Sequence, residues 1–223
     1  MIKTKASKEP FEQLTPWVMS TAIVMPLAWL VVFVSIFTMD SFVHPLWEFA
    51  ITQALLFVIC GAVAGCVVGA GQWLVLRGDV TWANNWFRAT VVSWGLTAVA
   101  WWLVYRFFGG PHFEISQQDL IPAALFTSLV SGLILGMAQW SLLRQKVDIS
   151  FLWVLVTITS WFVAAGATIM AVVLIAAKPD PVGSTYFPIL LMPGAIVGLG
   201  TGLARPKLVG QLQGKPPDME HPI

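Results

Sequence analysis

Long apolar runs, separated by short clusters of polar and charged residues, follow one another along the whole chain. None shows the strict alternation of apolar and polar positions that a transmembrane barrel strand requires. A helix rising 1.5 Å per residue needs about 20 apolar residues to cross a hydrocarbon core roughly 30 Å thick. Runs of that order lie near Trp17–Met39, Ala50–Leu74, Phe87–Tyr105, Ile121–Leu143, Phe151–Ala177 and Phe187–Leu203. Backbone groups inside hydrocarbon must satisfy one another, so each run is predicted to be a helix. The expected fold is an all-α polytopic membrane protein of six transmembrane helices. A cytoplasmic segment (1–16) would precede the transmembrane domain (17–205), and a flexible cytoplasmic tail (206–223), rich in Pro, Gly and Lys, would follow it.

Composition agrees with this reading: 57% of residues are hydrophobic, 10% are charged, and the mean hydropathy is +0.80, well beyond what a water-soluble domain of 223 residues carries. The cations set an orientation. Six spans put Lys3, Lys5, Lys8, Arg77, Arg88, Arg144, Lys146, Arg205, Lys207 and Lys215 on one side and only Arg106 and Lys178 on the other. Positive residues favour the cytoplasmic face, so both termini are predicted to be cytoplasmic. With its cations placed by topology and a net charge of +1, the chain offers no basic patch to nucleic acid. The first apolar run is too long for a signal peptide and lacks a small-residue cleavage site, and it reads as a retained span. Cys60 and Cys66 lie six apart on different faces of one helix and imply neither a disulfide nor a metal site.

The chain also repeats itself. Shifted by 67 residues, Gly65, Gly69, Gln72, Trp73, Leu76, Arg77, Trp86, Thr90, Ser93 and Trp94 align without a gap on Gly132, Gly136, Gln139, Trp140, Leu143, Arg144, Trp153, Thr157, Ser160 and Trp161. Agreement this dense indicates copies of one unit. Trp17 and Thr21 retain the Trp-x-x-x-Thr opening of the odd helices, and Gly194, Gly198 and Gly202 retain the small-residue stripe of the even ones, with Arg205 in place of the Gln. Three helical hairpins, about 17–77, 86–144 and 153–205, are therefore expected. The doubled G-x-x-x-G-x-x-Q-W-x-x-L-R segment, Gly65 to Arg77 and Gly132 to Arg144, resembles uncharacterised multispan bacterial membrane proteins built from this hairpin. The resemblance covers about half the chain and implies a bacterial inner membrane, with no activity attached.

Each repeated residue type suggests a role. Gly65, Gly69 and Gln72, like Gly132, Gly136 and Gln139, fall on one helix face, where glycines four apart admit a neighbouring backbone and the amide can bond to it. Gly198 and Gly202 are expected to pack likewise, with the even helices forming the inner surface. Trp73 and Trp140, each a turn before Arg77 or Arg144, resemble an aromatic belt with phosphate-facing cations. Trp94 and Trp161, inside their spans with Thr90 and Thr157 nearby, are candidates to line a pocket for a neutral or lipophilic ligand; core packing is the alternative.

The middle of each span lacks Asp, Glu, Lys, Arg and His, which disfavours proton relays, ion-coupled carriers and voltage sensors. No catalytic signature is present, and no cofactor is implied. His44 and Glu48, with His112, Glu114 and Asp119, form short polar clusters in the predicted outer loops that solvation explains better than a metal. The expectation is a non-catalytic integral membrane protein that packs against other membrane-protein subunits in the lipid bilayer. The alternative is binding or transport of a lipid-like ligand through the Trp/Thr/Ser stripes.

Overall fold

Residues 10–43, 50–78, 80–109, 117–144, 150–176 and 192–204 are described by a computed structural model. They form six α-helices: α1 (Pro10–Val43), α2 (Ala50–Leu76), α3 (Ala83–Gly109), α4 (Gln117–Leu143), α5 (Phe151–Ala176) and α6 (Met192–Ala204). The first five are long and apolar enough to cross a membrane; the described part of α6 is a shorter apolar helix. Among the described residues there is no strand.

Several helices outrun their predicted spans. α1 begins at Pro10 rather than near Trp17, and α3 runs from Ala83 to Gly109 rather than from Phe87 to Tyr105. An apolar window measures only the stretch that hydrocarbon demands, whereas a helix continues into the headgroup layer while its backbone bonds last. Pro10 opens α1, where a missing N–H costs nothing. Pro26 lies within α1 and removes a bond to the carbonyl of Ala22. The turn after α2 is held by Arg77 N–H on the Trp73 carbonyl (2.8 Å), and α4 is extended in the same way by Arg144 N–H on Trp140 (2.8 Å). The first part of the sixth predicted span (187–191), the ends 1–9 and 205–223 with Arg205, and His44, Glu48, His112 and Glu114 lie outside the described residues.

Glycine determines which helices touch most closely. A Cβ at Gly65 would lie 2.7 Å from the Trp94 Cβ and 3.0 Å from the Val91 Cα, so α2 lies directly on α3. Gly132 meets the Ile158 Cα at 2.7 Å and Gly136 the Val154 Cα at 3.1 Å, joining α4 to α5. Gly194 would meet the Thr21 carbonyl at 2.8 Å and Gly198 the Thr21 Cβ at 3.0 Å, joining α6 to α1. Each even helix also reaches another odd one: Gly71 faces Val24 and Ser20 of α1, Gly200 faces Ser160 of α5, and α4 packs on α3. The six helices thus form a closed ring in which α6 seals the first helix to the fifth.

Two apolar clusters fill the ring. At one end Trp17, Leu76, Ala83, Trp86, Leu143, Trp153 and Ala204 pack together, so the start of α1 and the end of α6 share that end of the bundle. Farther in, Met25, Ala28, Ala64, Val68, Trp94, Leu135, Trp161, Ala164 and Val197 form the second cluster. The glycine pattern predicts that the even helices make the inner surface. The first cluster draws Trp17, Trp86 and Trp153 from the odd helices and Leu76, Leu143 and Ala204 from the even ones, so both sets contribute to the interior at that end.

Candidate functional site: a tryptophan triad over a polar ring

Trp17, Trp86 and Trp153 come from α1, α3 and α5 and are 1–2% exposed. Their ring centroids lie 6.1, 6.2 and 5.4 Å apart with interplanar angles of 74–75°, so each edge points at a neighbour's face. This arrangement sets the positive edge of one indole against the negative face of the next, worth about 0.5–1.5 kcal/mol per pair beyond burial.

Each indole N–H is matched by an acceptor on the even helix of the adjoining Gly contact. Trp86 Nε1 donates to Gln72 Oε1 (2.9 Å), Trp153 Nε1 to Gln139 Oε1 (2.8 Å), and Trp17 Nε1 to Thr201 Oγ1 (3.0 Å). Because indole N–H only donates, the first two bonds also fix which amide atom is oxygen. Thr90 Oγ1 donates to Gln72 Oε1 (3.4 Å), and Gln139 Nε2 donates to Thr90 Oγ1 (3.4 Å), linking α2, α3 and α4 through one hydroxyl. Thr21, Thr157 and Thr201 donate to backbone carbonyls one turn earlier: Trp17 (2.9 Å), Trp153 (2.7 Å) and Val197 (2.6 Å). The result is a buried polar layer directly beneath the triad.

Thr201 is the third acceptor; Arg205, which the sequence alignment sets in the Gln position, lies outside the described residues. Gly194 and Gly198 make the contacts that Gly65 and Gly69, or Gly132 and Gly136, make in their own helices. The register lies one helical turn earlier than the sequence alignment suggested, and Thr201 follows Gly198 by three residues as Gln72 follows Gly69. Gly202 is buried. The sequence reading takes the glycine stripes to exceed what one bundle requires; Gly65, Gly69, Gly132, Gly136, Gly194 and Gly198 all face a neighbouring helix of the same chain.

Below the ring, Trp94 and Trp161 meet edge to face at 5.9 Å, and Met25 occupies the corresponding place on α1. With Gln72, Thr90, Gln139, Thr157 and Thr201 they line a cavity of about 20 Å³. A cavity near 150 Å³ admits benzene, whereas about 10–15 Å³ suffices for one water. The tryptophans and threonines singled out as pocket residues thus do converge, around a space of water size.

Near the same end, Arg77 lies over the Trp73 ring (5.0 Å to the centroid) and Arg144 over Trp140 (5.4 Å). Both arginines are exposed, and Trp73 Nε1 donates to Asn84 Oδ1 at 2.8 Å. Toward the opposite end, Trp101 Nε1 donates to Ser131 Oγ (2.7 Å) and Trp102 Nε1 to Gln53 Oε1 (3.4 Å). Sequence reasoning did not single out these two bonds, because neither Trp101 nor Trp102 belongs to the repeated motif. Among the described residues no three His, Cys, Asp or Glu side chains converge as metal ligands. No protein-family model, curated protein or solved structure matches the chain.

Proposed function

We propose that this is a non-catalytic integral membrane protein, an accessory or assembly subunit that offers its lipid-facing surface to other membrane components. One observation carries the reading: Gln72, Thr90, Gln139, Thr157 and Thr201 at the centre of the bundle each bond to one another, to the triad indoles or to their own helices. The space among them, about 20 Å³, has room for water and little else. What remains for a partner is the outside, where Ile51, Leu55, Val92, Leu103, Met170 and Leu203 are all more than half exposed.

The reading includes three hairpins from one ancestral unit and a bacterial inner membrane, with both termini cytoplasmic. The spacing of the motif copies supports the first. Arg77 and Arg144, just past α2 and α4, and Arg88, near the start of α3, support the orientation. Arg77 and Arg144, stacked on Trp73 and Trp140, serve as anchors whose guanidinium edges face lipid phosphate.

Native mass spectrometry of the protein, gently extracted from its own membrane, tests the proposal. The expected result is a stoichiometric membrane-protein partner that is lost when exposed residues such as Leu103 and Met170 are replaced by polar ones. A lone chain carrying a defined small molecule, released by Trp94→Ala or Trp161→Ala, would overturn it in favour of ligand binding.

A further inference from the structure

The polar ring is complete at one of its three positions, since the two bonds of Gln72 both come from α3. Gln139 accepts from Trp153 with one end of its amide and, with the other, reaches Thr90 on the preceding odd helix. Thr201 accepts from Trp17 in the same way, but its side chain ends at the hydroxyl. No amide is left to continue from α6 to Thr157 of α5. The 20 Å³ cavity has Thr157, Thr201 and Val197 in its wall.

The unmatched hydrogen-bonding capacity around this space is complementary. Thr157 Oγ1 donates to the Trp153 carbonyl and accepts from no described residue. Thr201 Oγ1 donates to the Val197 carbonyl and accepts from Trp17, which leaves one lone pair. Gln72 Oε1 is engaged by Trp86 and Thr90, while its Nε2 finds no acceptor among the described residues. The wall therefore presents an amide donor and two hydroxyl acceptors, in a space above the minimum for one water, which needs two to four polar partners.

We propose that this cavity is a built site for a single water molecule. The water accepts from Gln72 Nε2 and donates to Thr157 Oγ1 and Thr201 Oγ1, supplying at the α5–α6 contact the link that the Gln139 amide supplies at the α3–α4 contact. The third position thereby combines a short side chain and a bound water in place of one longer amide.

A density map of the protein in lipid nanodiscs, at a resolution that shows ordered water, tests this directly. The expected result is one compact peak within about 2.7–3.2 Å of both hydroxyls. An empty cavity, or density too extended for one water, would overturn the proposal. The same map of Thr201→Gln should show the new amide in place of that peak; a water persisting beside the amide would also overturn it. Should that variant fail to fold, the wild-type map decides alone.

Discussion

The contact between α4 and α5 and the contact between α6 and α1 use the same device with different completeness. In both, two glycines let backbones meet, and a polar residue three positions later takes the indole N–H of the facing helix. At α4–α5 that residue is Gln139, which makes two bonds to two helices. At α6–α1 it is Thr201, whose only bond to another helix among the described residues is the one from Trp17. The lesson is that the glycine contact and the tryptophan triad form the invariant part of the device. The amide is an addition that ties neighbouring contacts together.

The largest way to break the α4–α5 contact is to fill it. Gly132→Leu places side-chain carbon where a Cβ alone would sit 2.7 Å from the Ile158 backbone, which cannot retreat. The expected loss is about 3 kcal/mol or more, read as little folded protein by fluorescence-detected size exclusion. Gly166→Leu on α5 meets nothing within 4 Å and should change stability by less than about 0.5 kcal/mol. Equal damage from both would dissociate the glycine stripe from the packing described.

Next in size is the polar layer. Gln139→Leu leaves the buried Trp153 indole without its acceptor and Thr90 without a donor, at a cost of about 1–3 kcal/mol. Thr201→Val removes a single interhelical bond, the one from the Trp17 indole, and should lower the melting temperature by less than Gln139→Leu does. The reverse order would mean that the α6–α1 contact, not α4–α5, dominates the ring.

The helices were legible in the sequence because hydrocarbon leaves the backbone one choice, and the motif was legible because Gly65–Trp94 and Gly132–Trp161 align without a gap. The third position was not. Trp17 and Trp86 are separated by 69 residues and Trp86 and Trp153 by 67, so no single shift aligns all three. Thr201 is an ordinary hydroxyl in a glycine-rich helix until coordinates bring it to Trp17. Glycine spacing likewise shows that a face is small but not whose backbone covers it, so contacts internal to the chain read as surplus. Trp94 and Trp161 were visible as buried aromatics, but only packing determines how much room lies between them.

A smaller effect separates satisfied from unsatisfied hydroxyls. Thr97 Oγ1 is buried with no hydrogen-bond partner among the described residues, whereas Thr90 Oγ1 is shared by two amides. Thr97→Val should be neutral or stabilising by up to about 1 kcal/mol, and Thr90→Val destabilising by a similar amount, in parallel thermal melts. Smallest of all, Arg77→Ala or Arg144→Ala removes an exposed cation from an indole face and should cost no more than about 1 kcal/mol.

The central claim is that the polar groups at the core of the bundle serve the bundle itself. A double-mutant cycle on Trp153→Phe and Gln139→Leu, followed by reversible unfolding in detergent without added ligand, tests it most directly. The account expects a favourable coupling of about 0.6–1.7 kcal/mol, the range of interhelical hydrogen bonds in membranes. Strictly additive losses would contradict it, since the indole and the amide would then stabilise the protein without each other.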